Sequence, residues 1–111
     1  MTLHAADRAR IELLFIERCP SHERLLPLVR ELAAATGTKL VLRRIDTPEQ
    51  AERERFLGSP TVRVDGSDVD PGAGERTDYG LKCRIYRSEE LGQSPVPPTD
   101  WIRAALERNC G

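Results

Sequence analysis

The chain is predicted to be an α/β domain, a small mixed sheet with helices on both of its faces. Three observations carry this expectation. Short apolar runs alternate with runs of helical period through the first half of the chain. An Asp65-Gly66 pair between two strand-like runs marks a hairpin. A single amphipathic stretch closes the sequence after a Pro-rich loop. At 111 residues the chain suits one core. The expected organisation is a flexible tail over residues 1–9 and one domain over residues 10–109.

Each element has a local reason. Ile11 to Ile16 is short, apolar and bounded by charge, which predicts a buried strand. From Pro20 to Ala35 the apolar residues Leu25, Leu26, Val29, Leu32 and Ala33 recur at three- and four-residue steps, and Gly37 supplies the stop. Pro27 lies inside that helix and is expected to kink it or remove a hydrogen bond. Leu40 to Ile45 predicts a second strand. Thr47 as cap and Pro48 at the first position then start a surface helix to Phe56, rich in Glu, Arg and Gln. Thr61 to Val64 and Ser67 to Val69 flank the hairpin turn. Residues 72–78 predict a loop, Leu81 to Tyr86 a strand or a helical turn, and Gly92 to Pro98 a second loop. Thr99 caps a last helix to Asn109, with Trp101, Ile102, Ala105 and Leu106 on one face.

Composition narrows the function. The chain carries 17 basic and 18 acidic residues, a net charge of −1, so a nucleic-acid partner is not expected. No apolar run approaches the ~18–20 residues that span a bilayer, and the N-terminal residues lack an apolar signal core, which predicts a cytoplasmic protein without a membrane partner. Three cysteines without a secretion signal argue against a structural disulfide framework. Reactive, ligating or simply buried thiols are the alternatives.

Cys19 is the residue on which the functional reading turns. It stands where the first strand gives way to the first helix, beside backbone N–H groups and a helix dipole that favour an anion. A thiolate is such an anion, and this placement lowers a thiol pKa. The local string Cys19-Pro20-Ser21-His22 has CxxC spacing with histidine in place of the second cysteine. His22, within the first helical turn, has three candidate roles, imidazolium partner of the thiolate, general base or metal ligand, beside the reading of a surface histidine without a role. Cys83 lies in Leu81-Lys82-Cys83-Arg84-Ile85-Tyr86, where Leu81, Cys83 and Ile85 share a face if the run is extended. It reads either as a core thiol or as a resolving cysteine or second soft ligand that meets Cys19 in space. Arg84 reads either as a surface arginine or as a cation that helps hold an anion near the site, and Asp65, Asp68 and Asp70 as turn residues without the glutamate a calcium loop needs. Tyr79, Tyr86 and Trp101 read as packing residues, His4 as part of the tail, and Cys110 as an incidental thiol.

With these residues in place, the chain resembles the thioredoxin/glutaredoxin superfamily over roughly Glu12 to Leu106. The carriers are Cys19 between first strand and first helix, Pro27 within that helix, and Ser59-Pro60-Thr61 opening the hairpin strand. It also resembles small bacterial thioredoxin-like proteins, some labelled as alkylmercury-lyase relatives, through Cys-Pro-x-His, Gly58-Ser59-Pro60-Thr61 and Cys83-Arg84-Ile85-Tyr86. The resemblance implies a thioredoxin-like three-layer fold and a cis Pro60 beside Cys19. It further implies that Ser59, Pro60 and Thr61 form a substrate groove in which backbone groups pair with an extended partner. His22 departs from the dithiol pattern, so the vicinal resolving thiol is missing.

Three functions follow as expectations. The first is a thiol-dependent oxidoreductase in which Cys19 attacks a thiol or disulfide substrate, small or protein, and Cys83 or an external thiol resolves it, with no cofactor. The second is a soft-metal module for zinc, copper or mercury through Cys19, His22 and Cys83. The third is a non-catalytic scaffold that holds a partner segment in the Pro60 groove.

Overall fold

The computed structural model describes residues 10–110, so the expected tail over residues 1–9, with His4, lies outside the described residues, as does the side chain of Cys110. The elements run β1 (Arg10–Phe15), α1 (Ser21–Thr36), β2 (Lys39–Arg44), α2 (Pro48–Arg53), β3 (Thr61–Val64) and β4 (Ser67–Asp68). A 3-10 turn (Ala73–Glu75), β5 (Tyr86–Ser88), β6 (Gly92–Ser94) and α3 (Thr99–Cys110) complete them. The architecture is mixed α/β.

Four strands form one sheet in the order β2-β1-β3-β4. β1 runs parallel to β2, with Ile11 opposite Leu40, and antiparallel to β3, with Leu13 opposite Val62. Side chains alternate along a strand, so Ile11, Leu13, Val62 and Val64 point to one face and Leu14 to the other. On the first face α1 contributes Leu25, Val29, Leu32 and Ala33, and α3 contributes Ile102, Ala105 and Leu106, to one buried cluster. On the second, Leu14 joins Ile16, Ile45, Ala51 and Phe56 around Cys19. This second face is otherwise polar: Arg43 bridges the buried Glu12 at 3.3 Å and Glu54 at 2.8 Å.

The local signals act as their chemistry requires. Asp65 and Gly66 both have positive φ, 51° and 88°, the combination that a two-residue hairpin of right-handed twist demands. The Thr47 hydroxyl accepts from the Gln50 N–H at 3.1 Å, while the Gln50 side chain accepts from the Asp46 N–H at 2.9 Å. α1 passes through Pro27 without interruption. Pro27 and Glu23, the residue whose carbonyl loses its donor, are both exposed.

Three expectations are corrected. The second helix stops at Arg53 rather than Phe56, because Arg55 turns to φ 55° and the Phe56 N–H reaches back to the Ala51 carbonyl at 2.8 Å. That reversal drives Phe56 into the core with no exposure. Gly92–Ser94, expected within a loop, pairs antiparallel with Tyr86–Ser88 as a separate two-stranded ribbon. In the run 81–86 the phase is opposite to the hydrophobic expectation: Arg84 and Tyr86 are buried, while Cys83 and Ile85 face out. Apolarity suggests the wrong face because the inward arginine is compensated by partners from distant strands.

Candidate functional site: two cysteines across a proline loop

Cys19 follows β1 and precedes α1, and its own N–H closes a turn onto the Ile16 carbonyl at 3.3 Å. The side chain is completely buried. Its thiol donates to the Ser59 carbonyl at 3.5 Å. The Ser59 hydroxyl accepts from the Ile16 N–H at 3.1 Å, which ties the proline loop to the end of β1. Ser59 is itself fully buried, and the Ser59–Pro60 peptide is cis.

Residues 82–84 run alongside this loop. The Ser59 N–H donates to the Lys82 carbonyl at 2.8 Å and the Arg84 N–H to the Ser59 carbonyl at 2.9 Å, placing Cys83 directly opposite Ser59. The backbone groups expected to receive an extended substrate are therefore engaged by the chain's own residues. Gly58 makes this close approach possible. A Cβ there would lie 2.9 Å from Arg84 Cβ and 3.2 Å from Arg84 Cα, at a φ of +133° that L side chains rarely adopt.

Cys83 and Cys19 are thus both held at Ser59, one opposite its backbone and one on its carbonyl, and the exposure of Cys83 removes the alternative of a core thiol. The two thiols shift in opposite directions. Burial pushes Cys19 up, but hydrogen bonding from the Cys83 thiol, the Ser21 N–H and hydroxyl and the Ser59 hydroxyl outweighs it, and Cys19 titrates below its ordinary value. The Ser21 N–H belongs to the first turn of α1, where unpaired backbone donors favour an anion. Hydrogen bonding to Cys19, then burial, then the Cys19 charge hold the proton on Cys83, which titrates above its ordinary value. Neither cysteine is in a disulfide.

His22 lies against the backbone of Cys19. Its Nδ1 donates to the Cys19 carbonyl at 3.0 Å, and its ring stacks on Phe15 with centroids 4.1 Å apart. Among the described residues no group of three or more His, Cys, Asp or Glu side chains is arranged to hold a metal ion. The expected Cys19/His22/Cys83 ligand set is not assembled among them, and the His22 Nδ1 is engaged by the Cys19 carbonyl.

The residues that sequence reasoning undervalued hold the Cys83 segment in place. Arg84 is 2% exposed; its guanidinium bonds Asp68 at 2.9 Å, Asp70 at 3.2 Å and the Thr61 hydroxyl at 3.0 Å, and lies 4.4 Å from the Tyr86 ring centroid. Asp68 and Asp70 are thus partners of a buried cation rather than turn residues alone. The Tyr86 hydroxyl donates to the Pro60 carbonyl at 2.6 Å, and burial pushes it far above the usual phenol range against the opposing pull of Arg84. Thr61, also fully buried, donates to the Gly58 carbonyl at 2.6 Å. The one sequence signal for this cluster is the two-residue spacing of Asp68 and Asp70 and of Arg84 and Tyr86, which puts each pair on one side of an extended segment.

Comparison with protein-family models and with curated proteins finds no match. Among the described residues no helix is long and apolar enough to cross a membrane.

Proposed function

We propose that this protein is a thioredoxin-like thiol–disulfide oxidoreductase whose redox pair is Cys19 and Cys83. The observation that carries the reading is the placement of Cys83 directly opposite Ser59, whose carbonyl also accepts from the Cys19 thiol at 3.5 Å. A single proton shared by two adjacent thiols leaves one thiolate ready to attack and one thiol able to follow it. The strand–helix placement of Cys19 and the buried Ser59-Pro60-Thr61 loop beside it support the thioredoxin-like assignment. In the reductive direction the Cys19–Cys83 bond forms, the substrate disulfide R–S–S–R breaks, and two electrons leave the pair. The Cys83 proton goes to one departing thiolate, giving RSH and RS⁻. An external thiol returns the pair to its reduced form. His22 acts on the backbone of Cys19, not on its sulfur.

The test is equilibration of a Cys110→Ser protein in dithiothreitol buffers of graded potential, followed by acid quench, alkylation and peptide mapping. The expected result is one two-electron transition from two alkylated thiols to a Cys19–Cys83 crosslink. Absence of that crosslink at every potential overturns the reading.

A further inference from the structure

We infer that external thiols and disulfides exchange with the pair at Cys83, inside a cationic cavity that favours small, carboxylate-bearing partners. Cys19 is then the internal sulfur, reached only through Cys83. The inference rests on the redox reading above and reverses the expected order of attack.

Access decides the order. Cys19 is 0% exposed, and the chain's own residues 82–84 lie over the loop that contacts it. Cys83 is exposed and lines an open cavity of about 550 Å³. That volume falls within the ~300–1,000 Å³ of ordinary small-molecule sites, and a folded protein chain is not needed to fill it. Arg76, Lys82, Arg84 and Arg87 line the same cavity, with Asp70 as its one acidic lining residue.

The charge does not cancel. Arg84 is matched by Asp68 and Asp70. Arg76 and Lys82 share the single carboxylate of Asp78, at 2.7 and 2.8 Å. Arg87, exposed on β5, has no ion pair among the described residues. A carboxylate on the incoming molecule would supply the missing anion, and Ile85, 48% exposed beside Cys83, would meet its aliphatic part.

The steps balance in both directions. For reduction of R–S–S–R, Cys19 takes the Cys83 proton, and the Cys83 sulfur attacks one substrate sulfur, expelling RS⁻. That thiolate takes the proton back from Cys19. Cys19 then attacks the Cys83 side of the mixed disulfide, expelling the second RS⁻ and closing the Cys19–Cys83 bond. In the return direction an external thiolate attacks the exposed Cys83 sulfur and expels Cys19. A second thiolate then releases Cys83, leaving R–S–S–R. The sulfur with the lower pKa leaves faster, and Cys19 occupies the leaving position.

Three disulfides of similar length and different charge test this: 3,3′-dithiodipropionate, bis(2-hydroxyethyl) disulfide and cystamine, each mixed with reduced Cys110→Ser protein. The first adduct is trapped by acid quench and located by peptide mapping. Cys83 is expected to carry it, and Cys83→Ser protein is expected to react on the order of tenfold more slowly than Cys19→Ser, because access selects the attacked and attacking sulfur. The dianion should outpace the dication at low salt, and Arg87→Glu should shrink that preference, as should added salt. A short pulse of labelled iodoacetamide on the unsubstituted pair, labelling Cys83 before Cys19, gives the same information if Cys19→Ser fails to fold. A first adduct on Cys19 that still proceeds to the crosslink overturns this inference and leaves the redox pair standing. Equal rates for the dianion and the dication overturn the cavity's selectivity. If none of the three disulfides produces the crosslink, the redox reading is overturned, and this inference with it.

Discussion

Gly58→Ala is the most direct perturbation of the contact that holds the two cysteines together. The added methyl would sit 2.9 Å from Arg84 Cβ and 3.2 Å from both Arg84 Cα and the Lys82 carbonyl oxygen, against the ~3.5–4.0 Å at which carbon atoms attract best. The obstruction is largely backbone, so no side-chain rotation relieves it. Alanine must also adopt φ +133°, a conformation worth about 1–3 kcal/mol of strain. Overpacking of a buried site costs a further ~1–3 kcal/mol, and movement of residues 82–84 would relieve part of it, so a total near 2–4 kcal/mol is expected. That movement separates Cys83 from Ser59 and hence from Cys19. Reversible urea unfolding of reduced protein measures the loss of stability, and the dithiothreitol titration measures the accompanying shift of the pair toward the dithiol. A loss below about 0.5 kcal/mol, the range of an inconsequential surface change, together with an unchanged redox midpoint, would refute the argument that close packing at Gly58 sets the sulfur-to-sulfur geometry.

Three further outcomes are expected. Cys83→Ala removes a donor that favours the Cys19 thiolate, so Cys19 should titrate at higher pH, read from thiolate ultraviolet absorbance in a Cys110→Ser background; an unmoved titration would show that the two thiols are independent. The signs extend to stability. Cys19, whose folded pKa is depressed, contributes stability above its unfolded pKa, lost as pH falls through the folded value. Cys83, whose folded pKa is raised, contributes below its unfolded pKa, lost as pH rises through the folded value. Unfolding free energy should therefore be best supported by the pair between the two folded pKa values and flatter with pH in Cys83→Ala. Arg84→Met strips a buried cation from two carboxylates that are only 13% and 17% exposed. Breaking such a pair costs about 3–5 kcal/mol, and the residual water access of both aspartates places this case near 3; thermal and urea unfolding within about 1 kcal/mol of the unsubstituted protein would contradict that placement.

The sequence alone determined the elements whose signals are local. Apolar periodicity, the Thr47-Pro48 start, Gly37 and the Asp65-Gly66 turn each act within a few residues, and each element appears close to where those signals put it. The position of Cys19 by the first turn of a helix was legible for the same reason. Pairing between β1 and β3 and the placement of Cys83 opposite Ser59 depend on contacts between residues far apart in sequence, which no local period encodes. The burial of Arg84 shows the limit most plainly. Hydrophobicity ranks an arginine as surface, and only the tertiary structure brings Asp68, Asp70, Thr61 and the Tyr86 ring around it. With Arg84 held inward its neighbour Cys83 faces out, so the exposure of that sulfur was decided by long-range electrostatic compensation, not by the apolar pattern of the chain.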